Sequence, residues 1–327
     1  MRLGYKVEAA TFPLAKPFAI TGHTFTWLES VQVTLERNGH RGTGEGDGVY
    51  FLGETQSGML EALEQVREHV EAGITRDQLQ TLMPAGGARN ALDCALWDLE
   101  AKESGLTIWE LTQIAPQKLT TVATIGIGTI QQMCQQAEDF SRFPHLKIKL
   151  DAADPIERLR AIRAARPDAK LIVDANQGWD IALLKKLLPD LIELEIAMIE
   201  QPLKIGDDSE LASLESPIPI GVDESCRTLN DYLDLRDFYQ VVNIKLDKSG
   251  GLTEALAIAS RAKQDGKKIM VGNMMGTSLS MAPAYVIGVL SSFVDIDGPL
   301  LLDGDVENPL QYFEGGIVSL PTPELWG

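Results

Sequence analysis

The chain has 327 residues, 44% hydrophobic and 23% charged, which is the composition of a globular protein with a sizeable core. Its 47 acidic residues outnumber 29 Lys and Arg, and the formal charge of −18 argues against nucleic acid or an anionic membrane as the main partner. Cys94, Cys134 and Cys226 are scattered, as are His23, His40, His69 and His145, which disfavours structural zinc; with no apolar leader and no apolar stretch of spanning length, a cytoplasmic location is expected.

In chain order, the first 55 residues predict strands, with a hairpin turn at Asn38-Gly39 inside SVQVTLERNGHRGTGEG. ETQSGMLEALEQVREHVEAG and ARNALDCALWDLEAKESG carry apolar residues at helical spacing and each ends at glycine. Strands followed by helices in blocks predict an α+β unit. From about residue 120 the texture changes. Eight short apolar runs recur: TVATIGIG, LKIKL, LIVDA, IAMIE, PIGVD, VVNIK, KIMVG and SFVDID. Helix-like stretches such as DPIERLRAIRAA lie between several of them. Strands alternating with crossover helices predict a parallel sheet, and eight of them predict a closed (β/α)8 barrel. An open doubly wound sheet is the alternative, but no Gly-rich turn of the kind it favours follows an early strand.

Catalytic groups of such barrels sit at the C-terminal ends of strands. Those ends carry Lys147 and Lys149, then Asp174, Glu200, Asp223, Lys245, and finally Asp295 with Asp297. A single charged residue there is an ordinary solvated strand end; a series in register is not. Asp174, Glu200 and Asp223 close adjacent strands, so three carboxylates converge, and a hard divalent cation relieves their repulsion. Oxygen ligands suit Mg²⁺, with Mn²⁺ as a substitute. Lys149 and Lys245 lie four strands apart in a ring of eight, on opposite sides of the mouth. Lys147, two residues from Lys149, points the same way and is expected to tune it and to contact substrate. Bases on both faces of a carbon beside a metal-held carboxylate suit racemisation or epimerisation through an enediolate. A single base would suit elimination or cycloisomerisation, and a Schiff-base aldolase would not need three carboxylates. Asp295 and Asp297 share a face, expected to point away from the metal, where a substrate ammonium such as a dipeptide's would fit.

These residues resemble the muconate lactonizing enzyme subgroup of the enolase superfamily, and most closely its dipeptide epimerases. The resemblance rests on KIK (147–149), DAN (174–176), EQP (200–202), DES (223–225), IKLDKSGG (244–251), DID (295–297) and MPAGGARNALDCALWDLEAK (83–102). It implies an α+β capping domain over residues 1–115, completed by the tail 304–327, and a modified (β/α)7β barrel over 116–303. It implies Mg²⁺ at Asp174, Glu200 and Asp223 and acid/base lysines at Lys149 and Lys245, a property of the superfamily rather than a consequence of these residues. Lys248 is not the matching base. Asp295 and Asp297 match the pair that holds the substrate ammonium.

Capping loops in this family select the side chain being inverted, and glutamate-specific members commonly offer an arginine there. Here AITGHTFTWLESVQVTLE (19–36) contains no Lys or Arg. It offers His23, Phe25 and Trp27, and the second loop offers Tyr50 and Phe51. The expected function is a Mg²⁺-dependent epimerase of L-Ala-Xaa dipeptides, with glutamate the first candidate. The alternatives are an o-succinylbenzoate synthase, N-succinylamino acid racemase or muconate cycloisomerase of the same subgroup, or a non-catalytic peptide-binding relative. Homo-oligomerisation is left open.

Overall fold

A computed structural model describes residues 2–327. The N-terminal strands β1 (Gly4–Ile20), β2 (His23–Arg37) and β3 (His40–Asp47) form an antiparallel sheet in that order. Asn38 and Gly39 have φ of +54° and +82°, the left-handed pair that matches a two-residue turn to the twist of its strands. A second two-residue turn, Thr21-Gly22, in which only Gly22 has a positive φ (+75°), joins Ile20 to its partner His23. The stretch 19–36, expected as a capping loop, is therefore a hairpin tip continuous with the sheet.

Helices follow: α1 (Gln56–Gln65), α2 (Arg67–Glu71), α3 (Arg76–Leu82), α4 (Gly87–Ser104) and α5 (Ile108–Thr112). The single helix expected over 54–73 breaks at Val66, whose φ of −98° and ψ of 2° leave the helical region. Helix α4 lies directly on β3. Gly42, Gly44 and Gly46 alternate along one strand face, and a Cβ on each would land 2.4, 2.2 and 2.0 Å from the carbonyl oxygens of Ala95, Ala91 and Gly87. Only glycine permits that approach. Val31, Val33 and Leu35 pack with Ala91, Leu92 and Ala95 in the resulting core.

Beyond β4 (Leu119–Thr120) come β5 (Ala123–Ile125), α6 (Ile130–Asp139), β6 (His145–Lys149), α7 (Pro155–Ala165), β7 (Lys170–Asp174), α8 (Ile181–Glu193), β8 (Ile196–Glu200), β9 (Ile220–Val222) and α9 (Leu229–Leu235). They continue with β10 (Val241–Lys245), α10 (Leu246–Ser249), α11 (Leu252–Gln264), β11 (Lys268–Gly272), α12 (Ser278–Val289), β12 (Phe293–Val294) and β13 (Ile317–Val318). Strands β5 to β12 are parallel neighbours in chain order, with no reversal of the kind an open doubly wound sheet has. The Val122 N–H donates to the Val294 carbonyl at 2.9 Å and brings the two ends of the sheet together. Between β8 and β9 the chain makes only a 3₁₀ turn, Asp208–Ser213, and no α-helix follows β12. The expected modified barrel is the observed fold.

Strand periodicity builds the site. Ile172, Met198, Val241, Met270 and Phe293 fill the barrel interior with Val122. Two residues further along β7, β8, β10 and β12 the same inward face carries Asp174, Glu200, Asn243 and Asp295. The alternate residues, among them Leu171, Val173, Ile199 and Val242, face the helical shell. The interior is thus apolar below and ionisable at the mouth.

The N-terminal unit covers that mouth. The Thr21 hydroxyl reaches the carbonyls of Leu150 and Ala175 at 3.3 and 3.1 Å, and the Ile127 N–H donates to Ala19 at 2.8 Å. On the far side Arg89 donates to the carbonyls of Ser249 and Gly250, and Asn90 to the Asp247 carboxylate at 2.7 Å. The tail returns to α4, where the Trp326 indole N–H donates to the Cys94 carbonyl at 3.0 Å. Among the described residues no helix is long and apolar enough to cross a membrane.

Candidate active site

Asp174 ends β7, Glu200 ends β8, and Asp223 follows β9 by one residue. All three are fully buried, and each presents an oxygen within 4.8 Å of the others. Four buried lysines surround them. Lys149 Nζ lies 2.7 Å from Asp174 Oδ2, and Lys245 Nζ lies 2.7 Å from Asp223 Oδ2. Since β6 and β10 stand four strands apart, the two ammonium groups approach the carboxylates from opposite sides. Lys248 takes the other Asp223 oxygen at 2.6 Å and also donates to the carbonyls of Asp223, Cys226 and Asn243. It is a ligand of backbone, with its charge spent on Asp223.

Lys147 sits among three carboxylates: Asp295 Oδ2 at 2.8 Å, Glu200 Oε2 at 2.9 Å and Asp174 Oδ2 at 3.1 Å. Burial disfavours its ammonium, but Asp295, Glu200 and Asp174 outweigh that and hold its pKa well above the ordinary lysine range. Lys147 thus stands between Asp295 and the metal triad and joins them. One ammonium cannot neutralise three anions. Glu200, pushed up by burial and by Asp174 and held only partly by Lys147, rises to about 8. Burial would also raise Asp174 and Asp223, yet Lys149 with Lys147, and Lys245 with Lys248, keep both below the usual carboxylate range.

Asp297 has no such cation. Its Oδ2 accepts from the Thr124 N–H at 2.6 Å, and its carboxyl lies beside that of Asp295. Burial and the Asp295 charge push it up to about 8. Lys147 holds Asp295 low while Asp297 is raised, so the pair favours one negative charge, on Asp295, with the proton on Asp297.

Several buried polar neighbours have no counterpart in the strand-end reading. Asn243 lies two residues before Lys245 on the same inward face and donates to Glu200 Oε1 at 2.7 Å. Gly272 on the next strand leaves it room, since a Cβ there would meet the Asn243 amide at 2.6 Å. The alternation that picked out Lys245 also reaches Asn243, but a neutral residue raised no signal. Glu224, beside Asp223, accepts from the Asn176 side chain at 3.0 Å and is pushed up to about 7 by burial and the Asp223 charge.

The residues present fit a divalent cation. Glu200 Oε2 and both Asp223 oxygens are buried and receive no well-directed hydrogen bond, although lysines lie at ion-pair distance. An all-carboxylate donor set suits Mg²⁺.

In the covering unit, His23 and Phe25 pack edge to face with ring centroids 4.3 Å apart, and His23 stacks on Tyr50 at 5.4 Å. Phe51 packs against Tyr50. Trp27 shares the strand face of His23 and Phe25 but is 55% exposed. The Tyr50 phenol is pushed up by burial and by the charges of Glu224, Asp223 and Asp174, so this aromatic group lies within electrostatic reach of the carboxylates.

Residues 3–112 match the mandelate racemase / muconate lactonizing enzyme N-terminal domain, and residues 130–323 the enolase C-terminal domain-like family. The chain belongs to the mandelate racemase / muconate lactonizing enzyme family. It is 42% identical to the L-Ala-D/L-Glu epimerase of Escherichia coli over 95% of this chain and 98% of that protein. It is 43% identical to an N-acetyl-D-glutamate racemase of a Pseudoalteromonas species over 76% of this chain and 79% of that one. Among solved members, an enolase family protein from Agrobacterium tumefaciens with homology to dipeptide epimerases, holding sodium and L-Ala-L-Glu, matches with a TM-score of 0.96 and 43% identity over 99% of this chain and 100% of that one. A dipeptide epimerase from Methylococcus capsulatus, complexed with Mg and L-Arg-D-Lys, matches with a TM-score of 0.92 and 30% identity over 98% of both chains.

Proposed function

We propose that this family member is a Mg²⁺-dependent dipeptide epimerase that inverts the α-carbon of the C-terminal residue of L-Ala-Xaa dipeptides, with L-Ala-D/L-Glu as its first substrate. The observation that carries the reading is the placement of Lys149 and Lys245 on opposite sides of the carboxylate triad, with the Asp295–Asp297 pair beyond Lys147. Residues 1–115 with the tail 304–327 act as the cap, and 116–303 as the catalytic barrel.

Asp174, Glu200 and Asp223 would hold Mg²⁺, which when bound supplies a Lewis acid that draws charge onto the substrate carboxylate and acidifies the adjacent C–H. One lysine, as the free amine, takes the α-proton from its face. The other, as the ammonium, returns a proton to the opposite face, and the roles exchange for the other stereoisomer. Lys147 places a positive charge beside the developing anion. Asp295 and Asp297 hold the N-terminal ammonium by charge-assisted hydrogen bonds. His23, Phe25, Trp27 and Tyr50 bound the side chain being inverted.

A second reading, racemisation of an N-acylated glutamate, has support from the relative that acts on N-acetyl-D-glutamate. The buried acidic pair disfavours it, because an acylated nitrogen carries no positive charge. A dipeptide library in D₂O with Mg²⁺, followed by mass spectrometry, tests both. L-Ala-L-Glu should gain one deuteron at the second α-carbon, and Lys149→Ala and Lys245→Ala should each abolish inversion. Normal inversion by Lys245→Ala would overturn the two-base assignment. Equal turnover of free and N-acetylated substrates would favour the second reading.

A further inference from the structure

Gln201 follows Glu200 and is completely buried, yet it touches no charged group of the site. Every polar atom it owns is engaged. Its backbone N–H donates to the Gly221 carbonyl at 2.8 Å, and its carbonyl accepts from the Gln177 N–H at 2.9 Å. Its side-chain oxygen accepts from the N–H groups of Asp223 and Ser225 at 2.9 and 3.2 Å. Its side-chain nitrogen donates to the Leu203 carbonyl at 2.9 Å, the Ser225 hydroxyl at 3.0 Å and the Tyr239 hydroxyl at 3.4 Å.

Apart from Tyr239, these partners belong to the ends of the three strands that carry the carboxylates or to the residues just beyond them. Gln177 lies three residues beyond Asp174, Gln201 is joined covalently to Glu200, and the amide oxygen is bonded directly to the backbone of Asp223. The Gln201 backbone has φ of +31°, in the left-handed region that a side chain other than glycine adopts only at a cost. The surrounding bonds hold it there. One neutral residue thus ties three strand ends, its backbone carbonyl to Gln177 beyond Asp174 and its side chain to the backbone of Asp223.

We propose that Gln201 is a positioning residue that fixes the spacing of the Asp174, Glu200 and Asp223 carboxylates and so selects a small divalent cation, Mg²⁺, over a larger one, Ca²⁺. This rests on the reading of that triad as the metal site. The physical basis is that Mg²⁺ demands oxygens near 2.0–2.1 Å in almost ideal octahedral geometry, whereas Ca²⁺ accepts about 2.3–2.6 Å and irregular shells. A cage free to widen loses its small ion first.

The test is calorimetric titration of the folded chain with MgCl₂ or CaCl₂ alone, without substrate. Gln201→Met keeps the side-chain length and removes the hydrogen bonds. It should weaken Mg²⁺ binding about 10- to 100-fold, the usual effect of losing a residue that orients a ligand, and change Ca²⁺ binding much less. A residue with a merely structural role would lower the melting temperature and leave the ratio of the two dissociation constants unchanged. That result in a folded variant overturns the proposal. Should Gln201→Met not fold, the double variant Ser225→Ala with Tyr239→Phe removes two of the three partners of the amide nitrogen, leaving the Leu203 carbonyl, and so loosens the side chain that holds the Asp223 backbone. It should move the ratio in the same direction, and an unchanged ratio again overturns the inference. Epimerisation by a wild-type chain whose variants keep their ion preference would sink this inference alone; a wild-type chain that binds neither ion would sink the metal reading with it.

Discussion

Lys147 and Asp295, 148 residues apart, meet at 2.8 Å at the centre of the mouth. The same ammonium lies 2.9 Å from Glu200, so the carboxylates proposed to hold the cation and those proposed to hold the substrate ammonium share one charge. Asp295→Asn should therefore act at a distance. Released from Asp295, Lys147 sits more firmly on Glu200 and Asp174 and competes with the cation there. Mg²⁺ affinity should fall by on the order of 1 kcal/mol, about fivefold, for a charge change at this range in a partly screened interior. Unchanged Mg²⁺ affinity in titration calorimetry would show that the link transmits nothing.

A cation bound only by the folded triad must stabilise the fold. At about 100 times its dissociation constant, Mg²⁺ should add about 2.7 kcal/mol and raise the melting temperature. EDTA should reverse the shift and abolish epimerisation. Asp223→Asn should remove most of the shift, because it takes one charge from the donor set. A thermal melt indifferent to Mg²⁺ would count against Asp174, Glu200 and Asp223 as ligands.

The proton held by the acidic pair predicts proton release on binding. With Asp297 raised to about 8, the free site at about pH 6.5 holds that proton, while a dipeptide amino group is mostly ammonium. Docking the ammonium expels the proton to buffer. Titrating the Mg²⁺-loaded chain with a pre-equilibrated mixture of L-Ala-L-Glu and L-Ala-D-Glu, in buffers of different ionisation enthalpy, should show close to one proton released. Asp297→Asn should show almost none. Equal release by both would place the proton elsewhere.

A second acidic group, between the cap and the barrel, predicts how stability depends on pH. Asp247 accepts from the Asn90 side chain and the Asp47 N–H, with Glu54 and Glu45 nearby. Burial chiefly, and those charges, raise it from 3.8 to about 7. A folded-state pKa above the unfolded one means the folded chain binds the extra proton, so stability is highest below about 4 and declines as pH rises to about 7. The group's share of that decline is at most roughly 4 kcal/mol. Asp174 and Asp223, held low, act in the opposite sense and in a separate window, below their unfolded value of 3.8. Urea unfolding of Asp247→Asn, which keeps the acceptor oxygen, should show a flatter slope between about pH 5 and 7. A slope identical to wild type would rule Asp247 out as its source.

Much of the site was legible as strand ends. The barrel strands appear as apolar runs because both faces are buried, and their charged ends stand out against that background. Lys147, Lys149, Asp174, Glu200, Asp223, Lys245, Asp295 and Asp297 all lie buried at the mouth. The cap was read less well. The turn at Thr21-Gly22 carries a weaker hairpin signal than Asn38-Gly39, so an arm of the sheet looked like a loop. The glycines of GTGEG make room for a helix whose position no local pattern encodes.

The sequence by itself determined which residues share a face, because alternation along a strand is a local property of the backbone. It also determined which of those residues could hold charge. Only the tertiary structure decided which charges meet. Barrel closure sets Lys149 against Lys245 across the triad, hands Lys147 to Asp295 rather than leaving it a bare neighbour of Lys149, and lets Gln201 reach the backbone of Asp223. Those pairings span 22 to 148 residues, and such distances are fixed by how strands are ordered and closed, which side-chain periodicity does not specify.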